Sequence, residues 1–327
     1  MWTSAAKECR NRSKKLIVVR LKVPQKEGVT LFIVDGAYNI PIEKVVSKYL
    51  KKPFQIQAIS KIEEGCMHDI ALVRGNEVNV FVKVGGNSFS LDQFKQEAIG
   101  LKYIKTHSAV KTPEVIDVVE FDDKALLILE AIDVKPMADN NAWEILGRGL
   151  ATLHQSTSLK CGFDTHNYLG IFHQDNAPTE TWVEFFGERR LGDSMKMAVN
   201  SGNMKPENCN AVEKLIQKLP EICGPIQPHS LLHGDPWPGN LLFDGKQMVA
   251  IDCSIYYGNR EIDLSTVDFF YPVSEYFFKA YHEVYPIEPG YSERKELWQI
   301  NQLLGHVTLF GESHLPKLMN AVNKYIK

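Results

Sequence analysis

Leu231-Leu232-His233-Gly234-Asp235-Pro236-Trp237-Pro238-Gly239-Asn240, followed by Val249-Ala250-Ile251-Asp252, is the stretch on which the reading of this chain turns. Short apolar runs predict strands at 230–233, 240–243 and 248–251. Asp235 and Asn240 stand five apart and Asp252 lies seventeen beyond Asp235, so the loop and the second aspartate are expected at adjacent strand ends. Phosphoryl transfer asks for this set: a carboxylate that takes the proton of the attacking hydroxyl, and a carboxylate with an amide that hold Mg²⁺ on the phosphates. Asp235 is therefore the candidate base, and Asn240 and Asp252 are the candidate metal ligands. An Asp-Pro-Trp-Pro-Gly-Asn run alone is also an ordinary turn. The flanking strands and the downstream Ile-Asp set it apart.

Upstream, Lys83 sits in Val80-Phe81-Val82-Lys83-Val84, a strand too apolar to hold a lysine without a partner. Glu97 follows fourteen residues later on a predicted helix and can place a carboxylate over that strand. Such a lysine–glutamate pair orients the α- and β-phosphates of ATP. The competing reading is a lysine on the solvent face of an edge strand. Leu126-Leu127-Ile128-Leu129 ends in Glu130-Ala131-Ile132, whose backbone groups are placed to meet an adenine edge.

The rest of the chain is arranged around these two halves. Its 327 residues suggest about two domains or lobes. Hydrophobic residues make up 44% and charged residues 24%, which excludes a disordered or collagenous chain. Lys+Arg 37 against Asp+Glu 40 gives a net charge of -3, so nucleic acid is not the expected partner. No apolar run reaches the roughly 18 residues of a membrane helix, so no membrane partner is expected. Six scattered cysteines without a C-x-x-C pair point to a reduced protein of the cytoplasm. The basic first fifteen residues lack the apolar core of a secretory signal but leave organelle targeting open. Residues 1–40 read as an extension with a hairpin over 16–34. Residues 41–131 read as a small N-lobe, with a helix at 42–50, strands near 54–59, 69–73, 78–84, 113–119 and 125–129, and a helix from Leu91 that carries Phe94, Ile99, Leu101 and Ile104 inward. Residues 132–327 read as a larger, mainly helical C-lobe, which makes the chain α+β with a cleft between lobes.

Several further segments resemble the fructosamine kinase (ketosamine-3-kinase) family, a branch of the aminoglycoside-phosphotransferase-like, protein-kinase-like fold. They are Gly162-Phe163-Asp164-Thr165-His166-Asn167-Tyr168-Leu169-Gly170, Trp182-Val183-Glu184-Phe185-Phe186-Gly187-Glu188-Arg189-Arg190-Leu191, and Tyr256-Tyr257-Gly258-Asn259-Arg260-Glu261-Ile262-Asp263. Glu288-Pro289-Gly290-Tyr291 and the run from Leu303 to Gly311 fit the same pattern. The resemblance implies an ATP- and Mg²⁺-dependent kinase acting on the O3 hydroxyl of a sugar joined through C1 to an amine. The substrates would be glycated small amines or glycated proteins. Another small-molecule kinase of aminoglycoside or choline type, or a silent nucleotide-binding scaffold, are the alternatives.

Trp237, two residues past the base, is the aromatic expected against the sugar, with His306 reaching the same pocket by resemblance. The nucleotide loop reads Glu63-Glu64-Gly65-Cys66, with Gly65 alone where the family usually has a glycine doublet. Cys66 is a redox candidate there, because some family members carry a cysteine at this place. The chain is then expected to be a monomer or a redox-linked homodimer. The chain also departs from the family in having Cys253 after Asp252 where proline is common, and Pro236 and Pro238 around Trp237.

Overall fold

The computed structural model describes residues 38–62, 68–224 and 228–327. The basic terminus and the hairpin expected over 16–34 lie outside the described residues, as do Gly65 and Cys66.

Helix α1 (Asn39–Leu50) leads into five antiparallel strands: β1 (Ile56–Ile62), β2 (Asp69–Gly75), β3 (Asn79–Gly85), β4 (Val115–Phe121) and β5 (Lys124–Glu130). Their order is β1-β2-β3-β5-β4, and helix α2 (Ser90–His107) connects β3 to β4. Strand alternation decides what each face of β3 meets. Val80, Val82 and Val84 pack with Ile42 and Val46 of α1. Phe81 and Lys83 take the opposite face, toward α2. On α2 the residues Phe94, Ala98, Leu101 and Ile104 recur at helical spacing and are buried. Ile99, expected among them, is 39% exposed. At about 100° per residue it points roughly 140° away from Phe94, so the helix turns it to solvent.

The remainder is mainly helical. Helix α3 (Asn140–His154) is capped by Asp139, which accepts the Ala142 N–H at 3.0 Å. Strands β6 (Thr157–Ser158), β7 (Asn167–Leu169) and β8 (Phe172–Gln174) follow, with β7 and β8 forming a hairpin. A helical stretch then runs through α4 (Trp182–Glu184), a π-helical turn (Phe185–Gly192) and α5 (Asp193–Asn200). The sequence pattern predicts a regular amphipathic helix here. The wider π-turn instead brings Phe185, Phe186, Arg190 and Leu191 all inward, and Arg190 stacks between the Phe185 and Tyr256 rings at 4.6 and 4.1 Å.

Helix α6 (Pro206–Ile222) precedes β9 (His229–Leu232), β10 (Leu241–Phe243), β11 (Met248–Ala250) and β12 (Tyr256–Gly258). Four helices complete the chain: α7 (Glu261–Val267), α8 (Glu275–Val284), α9 (Tyr291–Phe310) and α10 (Leu315–Ile326). Arg260 and Glu261 are structural clamps at the start of α7. Arg260 donates to the carbonyls of Tyr285 and Pro286, and Glu261 accepts from Arg294 and from the Trp298 indole. Among the described residues no helix is long and apolar enough to cross a membrane.

Helices α3 and α8 pack so closely that a Cβ at Gly147 would stand 2.1 Å from the Phe277 carbonyl oxygen. Gly147→Ala must push the two helices apart, at a cost of about 1–3 kcal/mol. Scanning calorimetry should show the unfolding midpoint falling by several degrees; an unchanged midpoint would mean that α8 yields freely.

Candidate active site

The site begins with the buried ammonium on β3. Lys83 Nζ lies 2.7 and 2.8 Å from the two Glu97 oxygens and 2.8 Å from Asp252 Oδ1, with only 9% of its side chain exposed. Burial alone would discharge the lysine, but Asp252 and Glu97 outweigh it and raise its pKa above the ordinary value. Burial pushes Glu97 upward against the pull of Lys83. Asp252 ends below its usual value, because Lys83 overcomes the desolvation that would raise it. Residues 14 and 169 positions from Lys83 thus meet at one charge.

Asp252 is placed by backbone geometry. It follows β11 with φ of 53°, a left-handed conformation that a non-glycine residue adopts only under constraint. The constraints are the neighbouring bonds: Ile251 N–H donates to the Asn240 carbonyl at 3.1 Å, and Ser254 N–H to the His233 carbonyl at 2.8 Å. Asp252 is 56% exposed to the cleft. Asn240 Nδ2 donates to the Asp235 carbonyl at 3.0 Å and to Asp235 Oδ2 at 3.1 Å. This orients the amide and turns its oxygen away from Asp235. Asp235 is pushed up to about 8 by burial and by the charges of Asp252 and Asp263.

These groups fit a divalent cation. Asp252 and the Asn240 oxygen are hard oxygen donors, and the mutual repulsion of Asp235 and Asp252 is relieved by positive charge between them. No group of three or more ligating side chains occurs among the described residues, so such an ion would draw its remaining ligands from phosphate and water.

Another carboxylate, not singled out from sequence, holds the Asp235 loop. Asp263, fully buried on α7, accepts the His233 N–H at 2.6 Å and the Gly234 N–H at 3.1 Å. It also accepts from His154 Nε2 at 3.0 Å, and His154 Nδ1 faces the Tyr281 hydroxyl at 2.7 Å. Burial lowers the His154 pKa and favours the neutral ring, and the acceptor-only Asp263 carboxylate places its proton on Nε2. Gly234 has φ of +86°, and a Cβ there would lie 2.2 Å from the Ser254 carbonyl oxygen, so only glycine fits this turn. His233 supports the loop from within, its Nδ1 accepting the Asp235 N–H at 3.3 Å. The sequence signal for Asp263 is an acid flanked by Ile262 and Leu264.

Trp237 and His306 belong to one aromatic wall, joined by a residue the sequence reading missed. Phe270 stands edge-on to Trp237 at 6.4 Å and tilted against His306 at 5.6 Å, and it is 45% exposed. His306 is pushed down to about 4 by burial, with His314 and Lys317 adding to the effect, so it is a neutral ring. The adenine expectation narrows at the end of β5. The Glu130 N–H donates to the Glu114 carbonyl at 2.9 Å and the Ala131 N–H to the Asn79 carbonyl at 3.2 Å. Those two amides are committed to the sheet, which leaves the carbonyls and the Ile132 amide for a base edge.

The raised pKa of Asp235 makes a stability prediction. The folded state keeps a proton up to about 8 that the unfolded chain releases near 4, so stability falls as pH rises through that window. In metal-free buffer Asp235→Asn should therefore gain on the wild-type chain from pH 5 to pH 8, by at least about 2 °C in unfolding midpoint. A constant difference across that range would show that Asp235 titrates normally.

The fructosamine kinase family profile matches residues 40–327. A Vibrio parahaemolyticus protein described as a ketoamine kinase is 31% identical over 287 residues, covering 87% of this chain and 98% of its own. The chloroplastic protein-ribulosamine 3-kinase of Arabidopsis thaliana is 29% identical over 283 residues, covering 84% and 85%. Among solved structures, a Haemophilus somnus protein described as a fructosamine-3-kinase superposes with a TM-score of 0.78 at 26% identity, covering 88% of this chain and 97% of its own. The aminoglycoside phosphotransferase APH(4)-Ia shares the fold at a TM-score of 0.57 and 14% identity, covering 87% and 96%. With the family profile spanning both halves of the cleft, the chain belongs to the fructosamine kinase family.

Proposed function

We propose that the protein transfers the γ-phosphoryl group of ATP to the O3 hydroxyl of a ketosamine, a ribulose or fructose unit joined through C1 to an amine or a protein lysine. The observation that carries this reading is the convergence of Lys83, Glu97 and Asp252 beside the Asp235–Asn240 pair. Names of relatives support the substrate class, since they include a ketoamine kinase and a protein-ribulosamine 3-kinase.

The residues divide the work. Lys83, held by Glu97, offers its ammonium to the α- and β-phosphates. Asn240 and Asp252 would hold Mg²⁺, which supplies charge neutralisation on the transferring phosphates and draws down the pKa of Asp235. Asp235 takes the proton as the O3–H bond breaks and the new O–P bond forms, and ADP departs with the electron pair of the broken phosphoanhydride. Trp237, Phe270 and the neutral His306 give the sugar an uncharged aromatic wall. It suits C–H faces and admits the cationic amine of the substrate.

ADP release tests the reading directly. Ribulose- and fructose-derived lysine adducts should give steady turnover, and the parent sugars little. Asp235→Asn should lower kcat by at least about 10²-fold while ATP binding is retained, the range expected for a positioned base. Retention of more than half the wild-type turnover would remove Asp235 from the mechanism. Lys83→Ala should abolish most of the stabilisation that saturating Mg-ATP gives in thermal unfolding, because it leaves Glu97 unpaired beside the triphosphate. An undiminished shift would place the nucleotide elsewhere.

A further inference from the structure

The β7–β8 hairpin stands between the two halves of the site and is bonded to both. On the C-lobe side, Asn167 Nδ2 donates to the Ile255 carbonyl at 2.8 Å, steadied by Gln174 Nε2 on Asn167 Oδ1 at 3.0 Å. Ser254 Oγ donates to the Tyr168 carbonyl. Ser254 and Ile255 are the second and third residues after Asp252, so the hairpin grips the segment that carries the metal aspartate. On the N-lobe side, the Tyr168 hydroxyl donates to Asp92 Oδ2 at 2.8 Å and its ring stacks on Phe89 at 5.9 Å. Gln93 Nε2 donates to the Gly170 carbonyl at 2.8 Å, while its oxygen meets His68 Nε2 at 3.1 Å. Asp92 and Gln93 lie in the first turn of α2, one turn before Glu97.

We infer that this hairpin is a latch between the lobes and that Tyr168 is a positioning residue. Its bond to Asp92 holds α2, and through it Glu97 and Lys83, in register with Asp252. The inference rests on the kinase reading of the cleft. One direct link across the cleft, Lys83 to Asp252, competes with any ion or phosphate that binds Asp252. The hairpin contacts use none of the groups assigned to nucleotide or metal, so they persist when that link is exchanged. The hydroxyl remains a donor at working pH, because burial and the Asp92 charge push its pKa up to about 12. Weakening the latch lowers the fraction of chains with the cleft in register, and the apparent nucleotide affinity falls by that fraction.

Tyr168→Phe deletes the hydroxyl and keeps the ring on Phe89. Calorimetric titration of the full chain with Mg-ATP should show Kd raised about 3- to 10-fold, the scale of one partly solvated hydrogen bond to a carboxylate. KM for ATP should follow Kd, with kcat at saturating ATP changed by less than about twofold. Asp92→Ala should weaken binding in the wild-type background and add less than about twofold in the Tyr168→Phe background, the signature of a shared interaction. Unchanged Kd in Tyr168→Phe, a lower unfolding midpoint without any change in Kd, or equal effects of Asp92→Ala in both backgrounds would each overturn the latch. A wild-type chain that binds no Mg-ATP would instead overturn the kinase reading, and the latch with it.

Discussion

The structure is organised around one buried cation. An ammonium taken out of water costs several kcal/mol, and removing a partner from such an ion is strongly destabilising. Lys83 stands at the centre of a sheet with two carboxylates on it, one from α2 and one from the loop after β11. Meeting that requirement dictates much of the rest. Helix α2 must cross the β3 face at a height that brings Glu97 over the strand, and Phe94, Ala98, Leu101 and Ile104 seat it there. The Asp252 loop must reach across from the other lobe, and a left-handed backbone brings it there. Under the proposed function the nucleotide phosphates would need no new cation, since the charge is already present.

The C-lobe solves the inverse problem. Among the described residues no lysine or arginine pairs with the buried Asp263 carboxylate, and its charge is met by two backbone N–H groups and a neutral histidine. Those amides belong to His233 and Gly234, the residues immediately before Asp235. The same bonds that solvate the anion therefore fix the loop that carries Asp235. The negative charge of Asp263 is felt at Asp235 as well and contributes to its raised pKa, after burial and Asp252. Rigidity of the loop and basicity of the aspartate thus share a source.

These two solutions were unequally legible in the sequence. Lys83 is legible because a lysine inside the apolar run at 80–84 needs a reason, which Glu97 on the next helix and the aspartates downstream supply. Asp235, Asn240 and Asp252 were legible because turn residues between apolar strands keep their spacing in space as well as in sequence. Asp263 was not, because a carboxylate 28 positions past the base reads as a helix residue until the fold closes on it. Phe270 was missed for a similar reason, since an exposed aromatic matters only beside Trp237 and His306. The π-turn at Phe185–Gly192 is set by tertiary packing of Phe185, Phe186 and Arg190, against which a regular helical period has no warning. A strand end leaves the amides of Glu130 and Ala131 free in sequence, and the continuation of the sheet to Asn79 and Glu114 claims them.

The two halves of the site are also held with different strength, and the difference matches what each must do. The Asp235 loop hangs on fully buried bonds at Asp263, His154 and Tyr281, shielded from water and therefore strong. Near the cleft mouth the lobes are joined through Tyr168–Asp92 and Gln93–Gly170, bonds open to solvent and worth little each. A phosphotransferase needs an immobile base and a cleft that opens for each nucleotide. Buried bonds under the Asp235 loop and solvent-open bonds at the cleft mouth are a distribution of stability in which the mouth loosens before that loop does.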